Sequence, residues 1–303
     1  MTDRPDVDVL IVGAGPAGLT AATYLGRFRR SVLVANGGDA RASWIPLSHN
    51  MPGFPAGITG DAILRRMREQ AEEYGAVVED GRVEELTQGE TGFVASLNGR
   101  TITARAVLVA TGVVDHHPDL PGVERAIERA LIRICPICDG FEATDQRIAI
   151  IGDSDAGVRE AAFMLSYSDQ VTLIHTGPSE ALTERDALTR LGIQLVETAI
   201  ENVRIEGDRV TALCWNGAFS AFDTVYSALG TTANNSLLKG IGVRVAEDGR
   251  VETDLHQTTS IPGLYAAGDV VRGLNQIAVA TAEAAVAATD IHNSLRRADG
   301  LTV

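Results

Sequence analysis

Cys135 and Cys138 flank Pro136 and Ile137, and Asp139 and Gly140 follow at once. Two cysteines at this spacing share one turn of chain. Their sulfurs lie within bonding distance and can cycle between dithiol and disulfide. The neighbouring sulfur and the start of a helical turn lower the pKa of the attacking thiol. Asp139 stands where a proton could be passed to a leaving thiolate; its plainer reading is a turn cap. The pair also reads as half of a zinc site. Zinc would need a second Cys/His pair, and the only remaining cysteine, Cys214, stands alone in a strand-like stretch, so no metal is expected.

The second run with chemical content is Gly13-Ala14-Gly15-Pro16-Ala17-Gly18. In a strand-to-helix turn the first glycine permits the tight bend. The second lets a pyrophosphate approach the main chain, and the third lets helix and strand pack closely. The helix then presents its positive end to the phosphates. Asn36 ends the next strand, where an acid ordinarily holds ribose hydroxyls. An amide oxygen still accepts one such hydrogen bond, without the charge. Thr111-Gly112 and Gly268-Asp269 lie at the C-terminal ends of strands, where open α/β sheets bind ligands. Asp269 suits the hydroxyls of a flavin's ribityl chain. A helix opening near Gln276 would aim its positive end at the flavin's pyrimidine edge. A dithiol and a dinucleotide cradle in one chain imply electrons passing between a bound cofactor and sulfur.

Parallel strands and their helices must position these groups. Residues 7–12 form an apolar run suited to a strand buried on both faces. Residues 19–27 read as a helix, 31–35 as a strand and 61–74 as an amphipathic helix. Strand-like segments follow at 92–97 and 106–110. A second strand–turn–helix–strand cycle covers 147–152, 158–166 and 171–174, and short β-like pieces fill 196–226. The chain closes with a strand at 263–267 and a helix from 276 to about 296. The expected fold is α/β, with two Rossmann-like nucleotide-binding domains of the three-layer ββα type, the second inserted in the first. The Pro/Gly-containing stretch 117–122 is the expected crossover, with a return near 227–232. The first domain would then comprise residues 1–116 and 227–303, and the central one residues 117–226.

Bulk properties narrow the classes of function. The chain has 303 residues and a net charge of −14, which argues against nucleic acid. It has no apolar run of membrane-span length and no signal-peptide core at its start. Three cysteines make no disulfide framework, so a reducing cytoplasm is expected.

The chain resembles the low-molecular-weight thioredoxin reductases, which are flavin-dependent pyridine nucleotide–disulfide oxidoreductases. The resemblance rests on Gly13 to Gly18, His49-Asn50-Met51-Pro52-Gly53-Phe54, the ATG ending at Gly112, Cys135 to Gly140, and Gly268-Asp269 with Asn275-Gln276-Ile277-Ala278. It spans essentially the whole chain. It implies FAD in the first domain, held by Gly13, Gly15, Pro16, Ala17, Gly18, Asn36, Asn50, Val83, Thr111, Gly112, Gly268, Asp269, Gln276 and Ile277. It implies a central domain that carries the cysteine pair and binds NADPH. Cys138 would face the flavin, and Cys135 would meet a thioredoxin-like protein or a small dithiol or disulfide. A homodimer is implied as well.

The second cradle departs from that pattern. It reads Gly152-Asp153-Ser154-Asp155-Ala156-Gly157, with Ser154 in place of the pyrophosphate-facing glycine. Asp153 and Asp155 flank the place where a dianion would sit, and like charges there repel. The family's His-Arg-Arg grip on the 2′-phosphate is here His175-Thr176-Gly177, without an arginine for a bidentate contact. Normal NADPH binding is therefore not expected, and His175 is read as structural. Three readings follow. Electrons arrive from another donor such as a ferredoxin, docked on Arg27, Arg29 and Arg30 or on Arg65, Arg66 and Arg68. Alternatively a dithiol substrate reduces the pair and oxygen reoxidises the flavin, as in the dithiol oxidase branch that the sequence also resembles. In the third, the protein is a non-enzymatic flavoprotein redox sensor.

Overall fold

A computed structural model describes residues 5–38, 40–120, 123–129, 131–207 and 209–301. The chain divides into two compact units. One comprises Met1–Ser43, Thr59–Val114 and Thr232–Val303; the other comprises Trp44–Ile58 and Asp115–Thr231. The chain thus passes between the units at 43/44, 58/59, 114/115 and 231/232. The segment Trp44–Ile58 joins the second unit, which the sequence reading did not anticipate. Pro121 and Gly122, part of the expected crossover, lie outside the described residues.

The first unit is built on a 7-stranded sheet. The strand Val7–Val12 pairs in parallel with Val32–Asn36 on one side and with the end of Arg100–Val109 on the other. Val77–Asp80 extends the sheet beyond Val32–Asn36, and Leu264–Ala266 adds to Arg100–Val109. The segment expected at 106–110 is the downstream half of that long strand. Its upstream half pairs antiparallel with Gly92–Leu97, which in turn pairs with Val83–Gly89. Side chains of Val7–Val12 alternate between two cores. Val9 and Ile11 pack with the helices Pro16–Arg27 and Ile277–Ala298, whereas Leu10 and Val12 pack under the antiparallel strands. Burial on both faces accounts for the unbroken apolar run.

The second unit repeats the plan in smaller form. Four parallel strands lie in the order Gln194–Glu197, Val171–His175, Ile148–Gly152, Thr224–Ala228. The helix Asp155–Met164 covers one face with Val158, Ala161 and Met164. A three-stranded antiparallel sheet, Asn202–Glu206, Arg209–Trp215 and Ala218–Ala221, supplies Val210 and Leu213 to the other core. The architecture is therefore α/β with two Rossmann-like domains. Among the described residues, no helix is long and apolar enough to cross a membrane.

Candidate redox and dinucleotide sites

The three glycines of the first cradle separate by role. Gly13 has φ +113°, and a Cβ there would sit 2.3 Å from the Ala110 carbonyl oxygen. A Cβ on Gly18 would come within 1.9 Å of the Gly13 carbonyl oxygen. Both positions are closed by the protein itself. A Cβ on Gly15 would meet nothing nearer than Ala40 Cβ at 4.0 Å, so the space beside it belongs to no protein atom. Gly15 is the N-cap of the helix Pro16–Arg27, and Pro16 starts it without an N–H to leave unpaired. A 12-residue helix opening on such a gap suits an extended anion such as a dinucleotide's pyrophosphate.

Other expected contacts occupy the same unit. Asn36 ends its strand and donates from its amide to Asp80 Oδ1 at 2.8 Å. Asp80 stands in register with Asn36 on the neighbouring strand. A carboxylate thus stands one strand away from position 36, hydrogen-bonded to its amide. Val83 opens its strand with its side chain packed in the core, so only its main chain is open to a ligand role. Thr111 donates its hydroxyl to the Asn234 carbonyl at 2.6 Å, and Asn234 N–H donates to the Gly112 carbonyl at 2.9 Å.

The Gly268–Gln276 segment is braced by residues that sequence reading passed over. Gly268 donates its N–H to Glu283 Oε2 at 2.8 Å. Burial raises the Glu283 carboxyl above its ordinary range, and the Asp269 charge adds to the effect. Arg250 donates to the carbonyls of Asp269 and Val271, at 2.6 and 3.1 Å, and to Asn275 Oδ1 at 3.0 Å. The Asp269 carboxylate lies 3.6 Å from the Arg41 guanidinium. Gln276 caps the 22-residue helix that Ile277 begins.

In the second unit Cys135 and Cys138 form a disulfide, their Cα atoms 5.3 Å apart. Cys135 caps the single turn Pro136–Asp139, and Cys138 N–H donates to the Cys135 carbonyl at 2.9 Å. Gly140 lets the chain leave, since a Cβ there would meet the Pro136 carbonyl and the Tyr167 ring, each at 2.6 Å. Ile137 and Phe141 are exposed beside the pair. Asn50, expected at the flavin, lies in this unit, where its amide donates to the Ile137 carbonyl at 3.4 Å. Ser48 donates its hydroxyl to Asn50 Oδ1 at 2.9 Å.

Asp139 is held at the end of the cysteine turn. The Tyr226 hydroxyl donates to Asp139 Oδ1 at 2.8 Å, and Arg133 Nε lies 3.6 Å from Oδ2. Burial pushes the carboxyl above its ordinary range. Arg133 and Tyr226 pull it back, and Glu142 pushes it further up. Cys214 is buried on its strand with Sγ 3.8 Å from Glu201 Oε2; burial, reinforced by Glu201, raises its thiol.

The second cradle is arranged otherwise than its sequence suggested. Ser154 caps the helix and donates its hydroxyl to Asp153 Oδ1 at 3.1 Å. Asp155, expected to face a phosphate, instead accepts the Thr183 hydroxyl and the Glu184 N–H, the latter at 2.9 Å. A side chain this close to a loop finds neutral partners there, a hydroxyl and a main-chain N–H. Arg185 reaches the sheet edge, but both of its terminal nitrogens bind Glu197, at 2.5 and 2.6 Å. Glu197 is held down at about 2, chiefly by Arg185. His175 is buried and its Nε2 meets the Pro178 carbonyl at 3.0 Å, a structural placement. Three of the six arginines read as a ferredoxin dock are paired with acids. Arg30 pairs with Asp299, Arg65 with Glu69, and Arg68 with Glu72 and Asp80.

The chain is similar to known proteins over nearly its whole length. The family model described as pyridine nucleotide-disulphide oxidoreductase matches residues 7–284. A thioredoxin reductase of Mycolicibacterium smegmatis is 33% identical over 305 residues, covering 93% of this chain and 94% of that protein. The crystal structure of HlmI superposes with a TM-score of 0.89 at 29% identity, covering 97% of this chain and 94% of that one. A thioredoxin reductase structure from Streptococcus pyogenes MGAS5005 gives a TM-score of 0.88 at 25% identity, covering 96% and 98%.

Proposed function

Because this chain belongs to the pyridine nucleotide-disulphide oxidoreductase family, we propose that it is an FAD-dependent thiol–disulfide oxidoreductase that works through Cys135 and Cys138 without normal use of NADPH. Its membership makes it an oxidoreductase of thioredoxin reductase type. FAD, when bound, supplies a two-electron acceptor and donor. Gly13, Gly15, Gly18, Thr111, Gly112, Gly268, Asp269 and Gln276 would hold it. The gap beside Gly15 supports that assignment.

The observation that carries the reading is the Cys135–Cys138 disulfide on a turn that ends in Asp139, a carboxyl whose proton affinity burial has raised. In exchange, a substrate thiolate attacks one sulfur of the pair. The old S–S bond breaks, a mixed disulfide forms, and the departing cysteine sulfur takes a proton from Asp139. A second substrate thiol then displaces the first cysteine, so the substrate loses two electrons and the pair gains two. Run backwards, the same steps reduce a disulfide such as that of a thioredoxin-like protein.

The Arg185–Glu197 pair and the Ser154 cap favour electrons entering from a dithiol. With both terminal nitrogens on Glu197, Arg185 offers no bidentate grip for a 2′-phosphate. On this second reading a small dithiol reduces the Cys135–Cys138 disulfide, and FAD, held by the first unit, would supply the route by which those electrons leave for oxygen. Cys138→Ser tests both readings. The variant should bind FAD normally and lose dithiothreitol-dependent oxygen consumption. Wild-type turnover would eliminate the dithiol mechanism.

A further inference from the structure

We propose that Arg133 and Tyr226 are positioning residues for proton transfer at the cysteine pair. They set where Asp139 stands and how tightly it holds its proton. This rests on the reading of Asp139 as the acid of thiol–disulfide exchange, and it adds two residues that no local motif contains.

The geometry is a closed three-residue cluster. Tyr226 is fully buried in the middle of Thr224–Ala228, in register with Ile150 on the adjoining strand. Its hydroxyl donates to Asp139 Oδ1 at 2.8 Å and lies 3.2 Å from the Asp139 carbonyl oxygen. Arg133 is tied to the same strand by its main chain. Its N–H donates to the Val225 carbonyl at 2.9 Å, and Ser227 N–H donates to the Arg133 carbonyl at 2.8 Å. From that anchor one guanidinium nitrogen donates to the Asp139 carbonyl at 3.1 Å and to the Tyr226 hydroxyl at 3.3 Å. The end of the cysteine turn is therefore fastened to the outermost strand of the parallel sheet by two side chains, at both main chain and carboxyl. The Asp139 side chain keeps 27% of its exposure, so the acid stays within reach of solvent protons.

The electrostatics give the cluster a second effect. A carboxyl at this depth would hold its proton tightly if left alone. The Arg133 charge and the Tyr226 donor both favour the ionised form, and Glu142, three residues beyond Asp139, opposes them. The acid must give a proton to a departing cysteine thiolate and recover one from solvent. Its affinity is thus set by burial against two donors, and neither donor is part of the cysteine turn.

The test uses the full-length FAD-loaded protein, with dithiothreitol as reductant. Opening of the Cys135–Cys138 disulfide is followed by quenching with a thiol alkylator and counting the modified cysteines by mass. Rates are expressed per dithiothreitol thiolate at each pH. The wild-type rate should fall as pH rises through the Asp139 midpoint, and Asp139→Asn should erase that limb. Tyr226→Phe removes one donor to a charged oxygen and should move the midpoint up by about one pH unit. Arg133→Met should move it up likewise, and Arg133→Lys, which keeps the charge, should recover part of the shift. Wild-type midpoints in Tyr226→Phe and Arg133→Met, with the limb still lost in Asp139→Asn, would overturn the positioning role alone. An unchanged profile in Asp139→Asn would overturn the acid reading beneath it. Tyr226→Phe deletes only a hydroxyl, so it decides the question by itself if the arginine variants do not fold.

Discussion

Replacing Gly15 by alanine separates the cost of a methyl group to the protein from its cost to a ligand. Gly15 has φ −76° and ψ −176°, a conformation that alanine adopts without strain. The new methyl would meet no protein atom nearer than 4.0 Å. Two small effects on the empty protein oppose each other. Loss of unfolded-state freedom stabilises by about 0.4–1 kcal/mol. Alanine is a poorer helix cap than glycine, which costs a comparable amount. The net change should stay within about 0.5 kcal/mol, a melting shift of roughly 2 °C or less at this size. The ligand is affected differently, because the methyl occupies the space through which a phosphate would reach the helix N–H groups. One hydrogen bond to a charged oxygen contributes about 1.5–3 kcal/mol, so FAD affinity should fall by roughly 10- to 100-fold. Gly18→Ala is the contrast, since its Cβ would lie 1.9 Å from the Gly13 carbonyl oxygen. That backbone clash should destabilise the protein with or without FAD, by about 1–3 kcal/mol or more. Calorimetry of the FAD-free variants and flavin fluorescence titration read the two quantities. Wild-type FAD affinity in Gly15→Ala would refute the placement of the pyrophosphate.

Two further expectations concern the second unit. Glu160 on the helix Asp155–Met164 is raised from 4.5 to about 7 by burial, and its Oε2 is buried without a hydrogen-bond partner. Below pH 4.5 folded and unfolded chains both hold that proton. As pH climbs to about 7 only the unfolded chain releases it, so stability falls and then levels off. Glu160→Gln should match wild type at pH 4 and exceed it at pH 8 by about 2–3 kcal/mol; equal melting temperatures at pH 8 would show that the carboxyl is solvated. Separately, Ser154→Gly should leave NADPH a poor reductant, because Arg185 stays committed to Glu197. Rapid flavin reduction by micromolar NADPH in that variant would show that the serine alone closes the site.

Legibility from sequence followed locality. Val7–Val12 reads as a doubly buried strand because six consecutive residues carry the pattern. The roles of Gly13, Gly15 and Gly18 follow from their spacing, and the space around each glycine matches them. The cysteine turn is local too. What escaped depends on pairings between distant parts of the chain. Asp80 beside Asn36, Arg250 and Glu283 around Gly268, and Tyr226 against Asp139 are brought together by sheet register or by side chains that cross between segments. Trp44–Ile58 carries no composition signal that would assign it to the second unit. Its neighbours in sequence alone would turn the Asp155 carboxylate toward a phosphate; its partners, Thr183 and Glu184, lie nearly thirty residues on.

The most direct measurement of electron sharing between flavin and the cysteine pair is an anaerobic reduction of the FAD-loaded protein. Dithiothreitol should bleach the oxidised flavin of the wild type and leave Cys138→Ser coloured, while NADPH at the same concentration leaves both coloured. Bleaching of Cys138→Ser at the wild-type rate, or a wild-type flavin that dithiothreitol leaves oxidised, would contradict the account.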